Sequence, residues 1–346
     1  MEFTTAMETI KTRILIISDT HGKDFKFPQA TKLSADIAIH CGDLTDESKI
    51  VEYNTAIRLL LQIDAPLKLV VAGNHDFTLD TPAYERIAAE SQVASDITKE
   101  DLDRVYGAPG HARALLSNAP GITVLDEGTH HFDLVNGARL TVFASPFTPS
   151  KSASMGFQYV PMPLSDIPSE SASCITYNDG HAWSIQEDTH IAITHGPPRG
   201  ILDRNHEKLR TGSEGLFASV ASAKPKVHCF GHIHEDWGAR LVTWRGSVDD
   251  KAVPSHFTHI DNGRSRTICS MASLTPSRFD SEEVANEKRE ELESHRRVGA
   301  CTASIGGEDA QKDDGQQTLF INAAMEETFQ LPWIVDIELP RGFYTS

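Results

Sequence analysis

The sequence predicts an α/β fold, and three observations carry that expectation. Short runs of β-branched and aliphatic residues stop abruptly at Gly, Asp, Asn or His, as buried strands of a parallel sheet do when they feed a loop. Between the first of these runs lies a stretch with apolar residues close to helical spacing, and alternation of strand with helix is the mark of α/β architecture. The third is a β-rich middle section that contains Asn136-Gly137, the strongest short hairpin signal.

Taken in order, residues 13–17 (Arg-Ile-Leu-Ile-Ile) form the first strand and end in Ser18-Asp19. Residues 36–40 repeat the design and end in Cys41-Gly42-Asp43. A helix is predicted over 48–62, where Ile50, Val51, Ile57, Leu60 and Leu61 recur near helical spacing. Residues 67–71 make the third strand, which stops at Gly73-Asn74-His75-Asp76. The pattern over 82–118 is helical and amphipathic; 122–125, 130–135 and 139–144 read as strands. Strands 191–194 and 226–230 precede His195 and Gly231, and 319–322 and 333–336 read as closing strands.

Two segments break this pattern. Residues 150–180, rich in Ser and Pro, are expected as a long surface loop. Residues 245–317 are polar and poor in large apolar side chains, so they are expected as an insertion, with 281–297 a solvated helix or disordered. The expectation is thus a single domain over residues 1–346, with a core of about 13–244 plus closing strands in 318–340, interrupted by 245–317.

Composition bounds the function. The chain has 346 residues, 39% of them hydrophobic, with no apolar run long enough to span a membrane. No secretory or lipidation signal is read at either end, so a cytoplasmic protein is expected. The five cysteines are widely spaced with no Cys-x-x-Cys, which suggests neither a disulfide framework nor a zinc–thiolate site. Asp and Glu number 49 against 32 Lys and Arg, a net charge of −17. Such a surface repels nucleic acid, so no nucleic-acid partner is expected.

Five motifs fall at the predicted carboxyl ends of strands, where open α/β sheets bind ligands. They are Asp19-Thr20-His21, Gly42-Asp43, Gly73-Asn74-His75-Asp76, His195-Gly196 and Gly231-His232-Ile233-His234. Each alone is common by chance. Together, in order, they offer carboxylate, imidazole and amide-oxygen donors without thiolate, a set suited to Mn²⁺, Fe or Zn²⁺ in an open site. The glycines fit positions where a Cβ would crowd the metals.

These motifs resemble those of the calcineurin-like metallophosphoesterase superfamily, D-x-H, G-D, G-N-H-[DE], H-G and G-H-x-H. A narrower similarity to the metallophosphoesterase-domain-containing (MPPED) family rests on residues 39–45, 193–198 and 230–235. The resemblance implies a four-layer α/β/β/α sandwich and a pair of divalent metal ions that activate water against a phosphate ester. It implies that Asp19, His21 and His234 bind one metal, that Asn74, His195 and His232 bind the other, and that Asp43 bridges. His75 would face the phosphate, with Asp76 behind it fixing its tautomer. His40 is a candidate supporting or substrate-side residue and Arg199 a candidate phosphate contact. Phe157 and Tyr159 either stack on a base or leaving group, or anchor their loop to the core. The other histidines, His228 and His295 included, lack motif context and read as surface or packing residues. The substrate class is a small phosphate ester, a phosphodiester such as a cyclic nucleotide in first place. A phosphomonoesterase and a nucleotide-binding protein with little activity stand as alternatives. A nuclease would need a basic groove.

Overall fold

Alternate side chains of each central strand point to opposite faces, and both faces are covered. This is the architecture of the computed structural model, which describes residues 8–25, 34–95, 97–152, 154–162, 179–249, 252–305, 317–326 and 330–342. In chain order the elements are β1 (Thr9–Ile17), β2 (Ile37–His40), α1 (Ile50–Gln62), β3 (Leu67–Val70), α2 (Thr81–Ala94), α3 (Lys99–Tyr106) and α4 (His111–Ser117). Then come β4 (Ile122–Val124), β5 (Gly128–Asp133), β6 (Arg139–Ser145), β7 (Thr148–Pro149), β8 (Gln158–Tyr159), β9 (Ile191–Thr194), α5 (Glu214–Ala223) and β10 (Val227–Phe230). The chain closes with β11 (Gly238–Trp244), β12 (Ile260–Ser270), α6 (Met271–Leu274), α7 (Glu282–Val298), β13 (Cys301–Ser304), β14 (Gln317–Asn322) and β15 (Trp333–Pro340).

One sheet runs β13-β15-β1-β2-β3-β4 and the other β12-β11-β14-β10-β9-β6-β5. Ile14 and Ile16 of β1 meet Val142, Ile191, Ile193, Leu319 and Ile321 of the facing sheet. The alternate residues Leu15 and Ile17 pack on Tyr53, Leu59 and Leu60 of α1 and on Leu116 of α4. Across the molecule Phe143, Phe230 and Phe320 cover Leu216, Phe217 and Val220 of α5. Helix, sheet, sheet and helix therefore stack as the expected four-layer sandwich.

Strands β1, β2 and β3 are parallel to one another, as are β6, β9, β10 and β14. Met325 N–H donates to the Ser18 carbonyl at 3.0 Å, joining the chain beyond β14 to the end of β1. Loops leaving both sheets thus share one edge.

The expectation for 245–317 needs correction. Its described residues supply an edge strand to each sheet: β12 pairs antiparallel with β11, and β13 runs parallel to β15 with Cys301 opposite Trp333. Cys269, Leu274, Leu292, Cys301 and Ala303 join the core between the sheets. Few apolar residues suffice because edge strands and one helix face bury only a narrow stripe. The helix expected near 281–297 forms as α7, with the Ser281 hydroxyl accepting from Val284 N–H at its start and Gly299 (φ 79°) ending it. Of the loop over 150–180, residues 163–178 lie outside the described residues.

Candidate metal centre

The motif residues sit on strained backbone. Asp19, His21, Asp43 and His232 all have positive φ, between 46° and 67°, a region unfavourable for residues with a Cβ that persists where surrounding structure enforces it. The turns are held by Asp19 N–H to Gly42 O at 2.9 Å and His21 N–H to Asp43 O at 3.1 Å. Glycine is required beside them. A Cβ on Gly231 would lie 1.9 Å from Asp19 Oδ2, and one on Gly73 would lie 2.2 Å from Asp43 Oδ1.

The donors converge in two groups that meet at Asp43. Asp19, His21 and His234 bring ligand atoms within 4.8 Å of one another, and so do Asp43, His195 and His232; Asp43 falls within the same reach of His21 and His75. Asn74 Oδ1 lies 3.0 Å from His195 Nε2, and Asp43 Oδ2 lies 3.2 Å from it. Hydrogen bonds set the ring tautomers. His195 Nδ1 donates to the Cys41 carbonyl at 3.0 Å, and His234 Nδ1 donates to the Glu326 carboxylate. Each ring is left with Nε2 aimed inward, the orientation that metal-ligating histidines receive from such partners. His21 Nε2 and His234 Nε2 face each other at 3.5 Å, with Asp19 Oδ1 3.2 Å from the latter. Lone pairs aimed at a common point repel unless a cation lies among them, so the donor set fits divalent metal on both sides of Asp43.

Electrostatics agree with that arrangement. Burial alone would raise Asp19, but the hydrogen bond and charge of His234 hold it well below the usual carboxylate range. Burial opposes charge on His195, and Asp43 nevertheless holds it up at about 9. His232, partly buried and edge-on to His195, is pushed down to about 4 by burial first and by that neighbour second. The two carboxylates attract positive charge into a pocket that water reaches poorly.

Two expectations change, for Asp76 and Arg199, and two open alternatives are decided, for His40 and Tyr159. Asp76 does not touch the His75 ring. Its buried carboxylate accepts from Leu44 N–H (3.1 Å), Thr45 N–H (3.0 Å), the Thr45 hydroxyl (2.7 Å) and Gly73 N–H (2.9 Å), clamping the Asp43 loop to the Asn74 loop. His75 Nδ1 instead donates to the Asp46 carbonyl at 2.6 Å. His40 is fully buried: it accepts from Gly42 N–H at 3.3 Å and donates to the Thr20 hydroxyl at 2.9 Å, so it braces two loops and cannot reach substrate. Arg199 is bound to Glu214 at 3.2 Å and to the Arg210 carbonyl at 3.3 Å, and lines a cavity of about 170 Å³ with Phe217 and Val253 to Phe257; none of these polar contacts is to a motif residue. Tyr159 is core, its hydroxyl donating to Asp179 at 3.2 Å among Trp183 and Ile201.

Phe157 is half-buried, edge-on to Phe147 with ring centres 5.9 Å apart. Its loop docks on the site: Gly156 N–H donates to the Asn74 carbonyl at 3.0 Å, and Asn74 Nδ2 to Met155 Sδ at 3.3 Å. Sequence reasoning missed Asp46 and Glu326. The second carried a signal, since it follows β14, which is parallel to β10 and ends at the same edge.

With this geometry in place, the comparisons take their meaning. The sequence profile of the calcineurin-like phosphoesterase family matches residues 12–236, a span that holds all five motifs. The chain belongs to that family. It is 28% identical over 235 residues to metallophosphoesterase domain-containing protein 1 of Homo sapiens, covering 66% of this chain and 62% of that protein. A UPF0046 protein of Caenorhabditis elegans is 28% identical over 227 residues, 65% of this chain and 64% of that one. A protein named probable rhamnogalacturonate lyase C, from Emericella nidulans, is 30% identical over 233 residues, 67% of this chain but 18% of that protein. The chain therefore spans less than two thirds of these relatives. Among the described residues no helix is long and apolar enough to cross a membrane.

Proposed function

We propose that this protein is a dinuclear metal-dependent phosphoesterase acting on a small phosphate ester, a phosphodiester such as a cyclic nucleotide in particular. The observation that carries the reading is Asp43, whose carboxylate is shared between two converging donor groups. Asp19, His21 and His234 would hold one divalent ion and Asn74, His195 and His232 the other, with Asp43 a carboxylate within reach of both groups. Such a pair, when bound, lowers the pKa of water and neutralises phosphate oxygens.

The chain's own residues do the rest. His195 and His234 present Nε2 because Cys41 and Glu326 take the other ring proton. His75 lies beside His21, ring centres 4.9 Å apart, and keeps 29% of its side chain exposed. With Nδ1–H committed to the Asp46 carbonyl, the Nε2–H of the protonated ring is what gives a proton to the leaving group or a hydrogen bond to the developing charge.

Charge around the entrance supports a small, singly charged ester. Among the described residues no Lys or Arg pairs with Asp19 or Asp43, whereas Asp46 and Glu326 stand at the histidines, with Lys23 3.9 Å from Glu326 as a partial counter-charge. A dianionic monoester gains less from such surroundings, and a polyanionic nucleic acid is repelled. A panel of p-nitrophenyl phosphate, bis-p-nitrophenyl phosphate and 2′,3′- and 3′,5′-cyclic nucleotides with added Mn²⁺ tests the reading. Preferential turnover of diesters is expected. Faster turnover of the monoester would make the protein a phosphatase, and bound metal without any turnover would leave a binding protein.

A further inference from the structure

Away from the metal centre, on the polar segment that the family motifs do not reach, three metal-type donors come together. Cys269 at the end of β12, His295 on α7 and Cys301 at the start of β13 offer ligand atoms that all lie within 4.8 Å of one another. Nothing in the sequence hints at this, because three separate elements supply the donors and no Cys-x-x-Cys precedes them.

We propose that Cys269, His295 and Cys301 form a second, structural site for a thiophilic divalent cation, Zn²⁺. The donor chemistry selects the ion: two thiols and an imidazole are zinc ligands, whereas the oxygen-rich set around Asp43 is not thiophilic. The spacing is close to that required. Donors held at about 2.0–2.3 Å from a tetrahedral zinc stand about 3.5–3.8 Å apart, so shifts of about 1 Å complete the set. The surroundings are polar in the right way. The Ser273 hydroxyl, which donates to the Ser270 carbonyl at 2.8 Å, lies 3.6 Å from Cys269 Sγ. Glu291, one turn before His295, lies 3.8 Å from its Nε2, an acidic neighbour that favours a cation. Cys269 and Cys301 are buried while His295 is partly open, so the fourth position is reachable by water.

The placement gives the site a purpose. β12 is the outer strand of one sheet and β13 the outer strand of the other. α7, lying between them in sequence, buries only Ala285 and Leu292. That thin apolar stripe holds a 17-residue helix weakly, and a metal bound by one residue from each of the three elements ties them together.

Cobalt substitution of the full-length, reduced protein tests this independently of the phosphoesterase reading, because the centre at Asp43 contains no sulfur. Titration with Co²⁺ should raise a thiolate-to-cobalt charge-transfer absorption whose final intensity corresponds to one thiolate-bound ion per chain and which is lost on adding Zn²⁺. The band should vanish in Cys269→Ser and Cys301→Ser and weaken in His295→Ala, with turnover retained. Should a cysteine variant fail to fold, the wild-type spectrum and His295→Ala, at a partly exposed position, still decide. Absence of the band in reduced wild type overturns the proposal. So does a band that persists in the double serine variant, which would assign it to the three remaining cysteines, or a native Cys269–Cys301 disulfide whose reduction restores no thiolate-held metal.

Discussion

Replacing Asp76 with Ala removes the acceptor of four hydrogen bonds, three from backbone N–H groups and one from the Thr45 hydroxyl. A bond to a charged acceptor contributes about 1.5–3 kcal/mol, and a buried donor left unpaired costs about 1–3 kcal/mol. Two effects offset part of that sum. Burial and the nearby charge of Asp43 push Asp76 up to about 6, so its removal relieves repulsion, and water entering the vacated space re-pairs some donors. A net loss of about 3–4 kcal/mol follows, or a melting temperature lowered by about 4–6 °C in a chain of this size. Asp76→Asn should not rescue, since its NH₂ faces two of the donors whichever way the amide turns. Thermal unfolding followed by circular dichroism, with metal content measured on the same samples, checks this. If Asp76→Ala melts within about 1 °C of wild type while the pH profile of turnover moves, the carboxylate acts on His75 and the clamp is wrong.

Three further outcomes follow from the packing. Deleting residues 245–317 and joining the ends with a short linker should unfold the protein, because it uncovers the β11 and β15 edges and removes Leu274 and Leu292, each worth about 2–5 kcal/mol in a core; a soluble, cooperatively melting product would contradict this. His228 is fully buried with only its Nε2 partnered, by the Thr194 hydroxyl, and burial pushes it from the ordinary 6.5 down to about 3. Between those values the unfolded chain binds the extra proton, so stability falls as pH drops below about 6.5, by up to about 1.4 kcal/mol per pH unit; His228→Gln should flatten that slope in denaturant titrations. Tyr159→Ala should cost about 3 kcal/mol of stability and lower turnover of every ester alike, while a selective rise in KM for one substrate would return Tyr159 to the binding site.

The parts of this molecule that the sequence declares are those with a local signature. Runs such as Ile14 to Ile17 announce a strand, and the polar stop after each places Asp19, Asp43, Asn74, His195 and His232 at one edge without knowledge of the sheet order. What stays hidden depends on contacts between distant residues. Asp76 sits next to His75 in the chain, which invites a pairing, yet its side chain turns to Leu44, Thr45 and Gly73. For Tyr159 the sequence leaves stacking and anchoring open, and only the distant Asp179 and Trp183 decide for the anchor. Residues 245–317 read as solvated because edge strands need few apolar side chains, and the neighbours that complete their core lie on β11 and β15. The grouping of Cys269, His295 and Cys301 is invisible for the same reason.

The most direct test of the central claim is Mn²⁺ stoichiometry and diester turnover measured together on wild type, Asp43→Asn and His75→Ala. Mn²⁺ is suited to the carboxylate and imidazole donors and disregards the thiols. Wild type should bind two ions and turn over; Asp43→Asn should lose metal and turnover together. His75→Ala should keep both ions with turnover down by about 10²–10⁴. Two ions retained in Asp43→Asn, or a site emptied in His75→Ala, would contradict the account.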